Sequence, residues 1–143
     1  MFDRLLKQLK IEPREPVRDH RLAVAVLLLE CARADFDQSE VEIIAVRDAL
    51  RQEYGLAEEE LETLIGSGGA QAREAISLHD TVAQLNEQMS PDEKRQLMAM
   101  LWRVAYADDH LDPQEEHLLR RLADLLYVPH ADFVREKLAA SKN

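Results

Sequence analysis

Carboxylates gather at two places in this 143-residue chain. One is Ala107-Asp108-Asp109-His110-Leu111-Asp112-Pro113-Gln114-Glu115-Glu116; the other is the shorter Ala34-Asp35-Phe36-Asp37-Gln38-Ser39-Glu40. Each closes one apolar segment of helical periodicity and opens another. Clustered oxygen donors suit a hard divalent cation such as calcium, which takes about six to eight oxygen ligands. Asp35, Asp108 and Asp109 fall at the C-terminal ends of their helices, where unsatisfied carbonyls already concentrate negative charge. A carboxylate there is unfavourable by roughly 0.3–1 kcal/mol. A cation held by these aspartates and by carbonyls of the helix end would relieve the repulsion, and so would an ion pair with Arg33, Arg103 or His110. The main ligands expected are Asp108 and Asp112, with Glu115 as a cap and supporting carboxylate. Asp109, Asp35, Asp37 and Glu40 complete the candidate metal residues.

A second explanation needs no ligand. Asp112 with Glu115, and Asp37 with Glu40, have the spacing of a capping box, in which each carboxylate satisfies backbone amides of a helix's first turn. Each cap contributes about 0.5–2 kcal/mol.

Other chemistries find less support. The calcium-loop pattern D-x-[DN]-x-[DN]-G-x5-E fails, because His110 stands third after Asp108 is counted and Pro113 occupies the glycine position. The histidines (His20, His79, His110, His117 and His130) show no zinc-ligand spacing, and Cys31 is the one cysteine. His110 with Asp108 and Asp112 is the remaining transition-metal arrangement. No GxSxG elbow, phosphate-binding glycine loop or Cys/His nucleophile pair is present. Gly66-Ser67-Gly68-Gly69 lacks both the preceding strand and the lysine of a phosphate loop, and reads as a hinge or helix break. With no general base or activated nucleophile to name, a metal-dependent hydrolase is disfavoured and a non-enzymatic protein is expected.

Composition fits a single packed domain over 1–143. Hydrophobic residues make up 46%, with only four Gly and five Pro, and a chain of this length buries roughly 68% of its unfolded surface. The formal charge of -10 is uneven: residues 34–93 carry fifteen acidic and three basic side chains. That acidic middle opposes nucleic-acid binding and favours cations or a basic partner. A single cysteine in an apolar run predicts a buried thiol and a reducing compartment. Ala23 to Leu29 is too short to span a bilayer, which needs about 20 apolar residues, so a cytoplasmic protein is expected.

The elements that must position the carboxylates are helical throughout, since no stretch alternates in the manner of a strand. Phe2, Leu5, Leu6 and Leu9 form a short amphipathic helix, and Pro13 and Pro16 make 12–17 a connection. Helices follow over about 18–34 and 38–54, the second with Val41, Ile44, Ala45, Asp48 and Leu50 along its turns and Gly55 as its left-handed cap. Another begins near 57 and weakens at Gly66–Gly69, and Ser77-Leu78-His79-Asp80 opens the next. Ser90-Pro91-Asp92-Glu93 and Asp112-Pro113-Gln114-Glu115 share one start signal: a cap, a proline in the first helical position and a glutamate three residues on. Helices to about 108 and 126 follow, then a last one over about 130–140. Trp102 and Tyr106, at helical spacing, belong to the core and its edge.

Leu28 to Asp35 matches Leu101 to Asp108 at an offset of 73, whereas Asp37, Glu40, Ile43 and Ile44 match Asp112, Glu115, Leu118 and Leu119 at 75. The expected architecture is therefore a compact all-α bundle of about seven or eight helices with two related halves and pseudo-two-fold symmetry. The internal repeats cover about 22–61 and 95–134, after an N-terminal helix and linker over 1–17.

Leu101-Trp102-Arg103-Val104-Ala105-Tyr106-Ala107-Asp108, Leu111-Asp112-Pro113-Gln114-Glu115-Glu116 and Leu118 to Leu126 resemble the signature of the TerB-like (tellurite-resistance protein B) family. The resemblance extends from about Leu22 to Lys137 and takes in Arg33-Ala34-Asp35 and Tyr54-Gly55-Leu56. It implies an all-helical bacterial domain of two related halves around an acidic, metal-chelating centre. It also implies a place in stress-response or tellurite-resistance-related assemblies near the inner membrane, with an unidentified protein partner that is basic or membrane-associated. Mapped residue by residue, Asp35, Asp37 and Glu40 would match the first acidic motif, and Asp108, Asp112 and Glu115 the second. The chain departs from the family pattern at Asp109, which stands where a glycine is usual, and in its shorter first turn. The function expected is a module binding a divalent cation through its acidic turns; the alternative is a purely structural interaction module whose carboxylates only cap helices.

Overall fold

The computed structural model describes residues 14–33, 40–73, 78–107, 109 and 111–141, with 14–19, 33 and 71–73 described as backbone alone. The expected helix at Phe2–Leu9 and the residues Asp35, Asp37, Asp108 and His110 lie outside that set. The described residues form seven α-helices and no strand: α1 (Arg14–Arg33), α2 (Glu40–Tyr54), α3 (Glu58–Arg73), α4 (Leu78–Gln88), α5 (Pro91–Ala105), α6 (Pro113–Leu125) and α7 (His130–Ser141).

The run Ala23–Leu29 makes α1 apolar on every side, and a helix of that kind must be surrounded. It is: Ala23 to Leu29 are all buried, and α2, α3, α4, α5 and α6 pack around α1. The second internal helix is α5, where Leu97, Met98, Met100, Leu101, Trp102, Val104 and Ala105 are buried. It packs against α1, α2, α6 and α7. The Trp102 indole N–H donates to the Phe133 carbonyl at 3.2 Å. Its ring lies 5.0 Å from that of Phe133 and 5.9 Å from that of Tyr106, so one side chain joins α5 to α7.

Local chemistry accounts for most helix ends. Ser90 and Glu93 close a reciprocal capping box at α5. Ala57 N–H donates to the Glu60 carboxylate at the start of α3. Gly55 (φ 60) and Tyr127 (φ 61) end α2 and α6 in the left-handed region, and Val128 N–H reaches back to the Ala123 carbonyl at 2.9 Å, the signature bond of a Schellman turn.

Two expectations give way. α1 takes in residues 14–17, which were expected to belong to a connection before residue 18. α3 runs through Gly66–Gly69 without a break. Gly68 is there for close packing: a Cβ would come within 3.2 Å of Ala25 Cβ and 3.3 Å of Leu29 Cδ1. Gly66 faces open space. Gly66→Ala should therefore raise stability by about 0.5–1 kcal/mol through helix propensity, while Gly68→Leu lowers it by about 1–3 kcal/mol through overpacking. Urea unfolding of the two variants, read against the parent, checks both signs.

Candidate functional site: an acidic helix junction

Helices α2 and α6 enter the core in the same way. The buried residues of α2 are Glu42, Val46, Ala49 and Leu50, and those of α6 are Glu115, Leu119, Leu122 and Ala123. Each of the four pairs is separated by 73 residues. The offset relating the apolar segments before each junction therefore also relates the buried faces after it, in place of the expected 75. Glu42, not Glu40, is the structural counterpart of Glu115, and it was missing from the expected site. The signal for it lies in Ser39-Glu40-Val41-Glu42, whose Ser-x-x-Glu spacing repeats that of Ser90–Glu93.

The expected residues divide accordingly. Glu40 is exposed at the first position of α2. Asp112 is the N-cap of α6, and its carboxylate accepts from Gln114 N–H at 2.7 Å. Asp109 is exposed and adopts φ 62, with its N–H donating to the Tyr106 carbonyl at 2.9 Å. A left-handed backbone favours glycine, and aspartate is among the few other residues that adopt it readily. This explains how Asp109 stands where the family pattern carries glycine. Glu115 and Glu42 have no solvent exposure. Asp112 caps α6, as the capping explanation expects, while Glu115 turns into the core instead of completing the capping box.

Cys31 of α1 meets this pair. Its thiol lies 3.9 Å from Glu115 Oε2 and 4.0 Å from the Leu101 carbonyl, and it is wholly buried. Burial pushes the thiol well above the ordinary range, and the charges of Glu115 and Glu42 push it further in the same direction. Cys31 therefore keeps its proton, as buried thiols among anions do. With no surface exposed, it should react with an aromatic disulfide reagent only through opening of the fold. Labelling in buffer is expected to be slower than for a free thiol by orders of magnitude, becoming complete in denaturing urea; the absorbance of the released thiolate measures both.

Among the described residues no group of three or more His, Cys, Asp and Glu side chains is arranged to hold a metal. The flanking Asp35, Asp37 and Asp108 are not in that set. His79, His117 and His130 are exposed. Part of the acidic middle is neutralised internally. Arg47 pairs with Glu58 at 2.7 Å and with Glu62, and Arg51 pairs with Glu58 at 3.0 Å, joining α2 to α3.

An all-helical bundle in which two helices each bury a first-turn glutamate at a core thiol is the class of protein these features define. The chain matches the family of tellurite resistance protein TerB over residues 21–138, and it belongs to that family. Searches of curated proteins and of solved structures found no match. No described helix is long and apolar enough to cross a membrane.

Proposed function

We propose that this protein is a non-enzymatic TerB-like module that holds a divalent cation at the acidic junction, with Glu42 and Glu115 at its centre. One observation carries the reading: two carboxylates at matching positions of α2 and α6 have no solvent exposure, and one of them lies 3.9 Å from the buried Cys31 thiol. Carboxylates buried at matching positions of two helices offer the kind of oxygen donors that a hard cation takes.

The donor set fits a hard ion. Glu42 and Glu115, with Asp35, Asp37 and Asp108 near them in sequence, are all oxygen donors. Asp112 orients the first turn of α6 through Gln114 and so sets where Glu115 points. Calcium, magnesium or manganese is the expected class. A cytoplasmic role in stress-response or tellurite-resistance-related assemblies, with a basic or membrane-associated protein partner, rests on family membership and on the charge of -10.

Thermal unfolding in chelator and in calcium, magnesium, manganese or zinc tests the reading. A cation at about a hundredfold above its Kd stabilises by about 2.7 kcal/mol, or roughly 5–11 °C for a chain of this size. A midpoint that no cation moves would leave the purely structural interaction module, its carboxylates serving only to cap helices and pair internally.

A further inference from the structure

A cleft with room for about 470 Å³ opens between α1, the C-terminal ends of α2 and α4, and α5. Pockets that take small molecules run to about 300–1,000 Å³. Leu97 and Met100, both buried, give the cleft an apolar floor, and Met89 extends it. The remaining lining is polar. His20 and the half-buried Arg21 come from α1, and the exposed Glu53 and Glu93 come from α2 and α5. Glu93 is already engaged, its carboxylate accepting from Ser90 N–H at 2.8 Å in the cap of α5. That leaves one guanidinium and one carboxylate. Among the described residues neither Arg21 nor Glu53 forms an ion pair or a hydrogen bond. Tyr54 stands partly buried in the same wall. Burial holds its hydroxyl well above the ordinary range; Glu53 pushes the same way, Arg21 opposes and Glu93 adds to the rise. The phenol therefore keeps its proton and remains a donor, within electrostatic reach of both free charges.

We infer that the cleft binds an apolar α-amino acid. The ligand carboxylate pairs with the Arg21 guanidinium and accepts from the Tyr54 hydroxyl. Its ammonium meets Glu53, and its side chain lies over Leu97, Met100 and Met89. An ion of one sign would satisfy half of this lining and meet a like charge at the other half. A zwitterion satisfies both halves, and an apolar side chain covers the floor. The cleft shares no residue with the acidic junction, so the inference goes beyond the cation reading and stands independently of it.

Titration of L-leucine into the full-length chain, followed by the methyl resonances of its methionines, tests the inference. Met89 and Met100 line the cleft, whereas Met98 is buried outside it, so the first two should shift saturably and Met98 far less. Isocaproate lacks the ammonium and isoamylamine lacks the carboxylate. Each should bind at least about tenfold more weakly than leucine, because a charge-assisted pair is lost. Arg21→Gln should bring leucine down to the affinity of isoamylamine, and Glu53→Gln down to that of isocaproate. Three results would overturn the inference: no saturable shift with leucine, analogues that bind as tightly as leucine, or leucine affinity unchanged in either variant.

Discussion

Trp102→Ala lowers the unfolding free energy by about 3–5 kcal/mol, the range for removing a fully buried large aromatic. Total stabilities of domains this size are about 5–15 kcal/mol, so the variant approaches the limit of folding. Three losses coincide at this position. A cavity opens beside α7, the ring contacts with Phe133 and Tyr106 disappear, and the Phe133 carbonyl loses the indole donor. Trp102→Phe retains most of the apolar volume and should be milder, by roughly 1–2 kcal/mol of recovered stability, with the carbonyl still left without its donor. Equilibrium denaturation of the two variants separates packing from the hydrogen bond. A small change in Trp102→Ala would mean that α7 does not depend on α5 for its position.

The second large effect concerns the sign of a substitution. In chelator, Glu115→Leu should leave the protein as stable as the parent or more so, because with no ion bound the two buried carboxylates repel each other and removing one relieves that repulsion. Glu42→Leu should behave alike, since the two occupy matching positions on α2 and α6. In saturating cation the order reverses: the parent gains the stabilisation of its bound ion, and the variants gain none. A purely structural role predicts the opposite in chelator. Breaking a buried network by removing one member costs about 3–5 kcal/mol, whatever ions are present. Denaturation curves with and without cation therefore distinguish the two accounts.

The all-helical architecture was legible because its signals are local. Ser90-Pro91-Asp92-Glu93 and Asp112-Pro113-Gln114-Glu115 start α5 and α6 where their capping chemistry says they should, and the unbroken apolar run of α1 could only be a surrounded helix. The errors came where tertiary packing overrides local preference. Gly66–Gly69 lowers helix propensity, yet α3 persists because Gly68 lets it approach Ala25 and Leu29 closely. On α2 the apolar pattern suggested that Val41 and Ile44 face inward, but they are 46% and 55% exposed. The inward positions include Glu42, and a pattern of apolar and polar residues cannot reveal a buried carboxylate. The buried faces pair Glu42 with Glu115 at 73 residues, whereas the capping spacing of Asp37 and Glu40 points to Glu40; Asp37 itself lies outside the described residues. Burial of Cys31 was readable from its apolar surroundings; its contact with Glu115, across 84 residues of sequence, was not.

The proposed centre requires one ion held by two glutamates. Calorimetric titration of calcium, magnesium and manganese into the full-length chain, alongside the Glu42→Gln/Glu115→Gln double variant and Glu40→Gln, addresses it directly, with circular dichroism establishing that each is folded. One saturable site in the parent and in Glu40→Gln, absent from the double variant, is the predicted result. Binding retained by the double variant, or no saturable heat from any of the three cations in the parent, would contradict it.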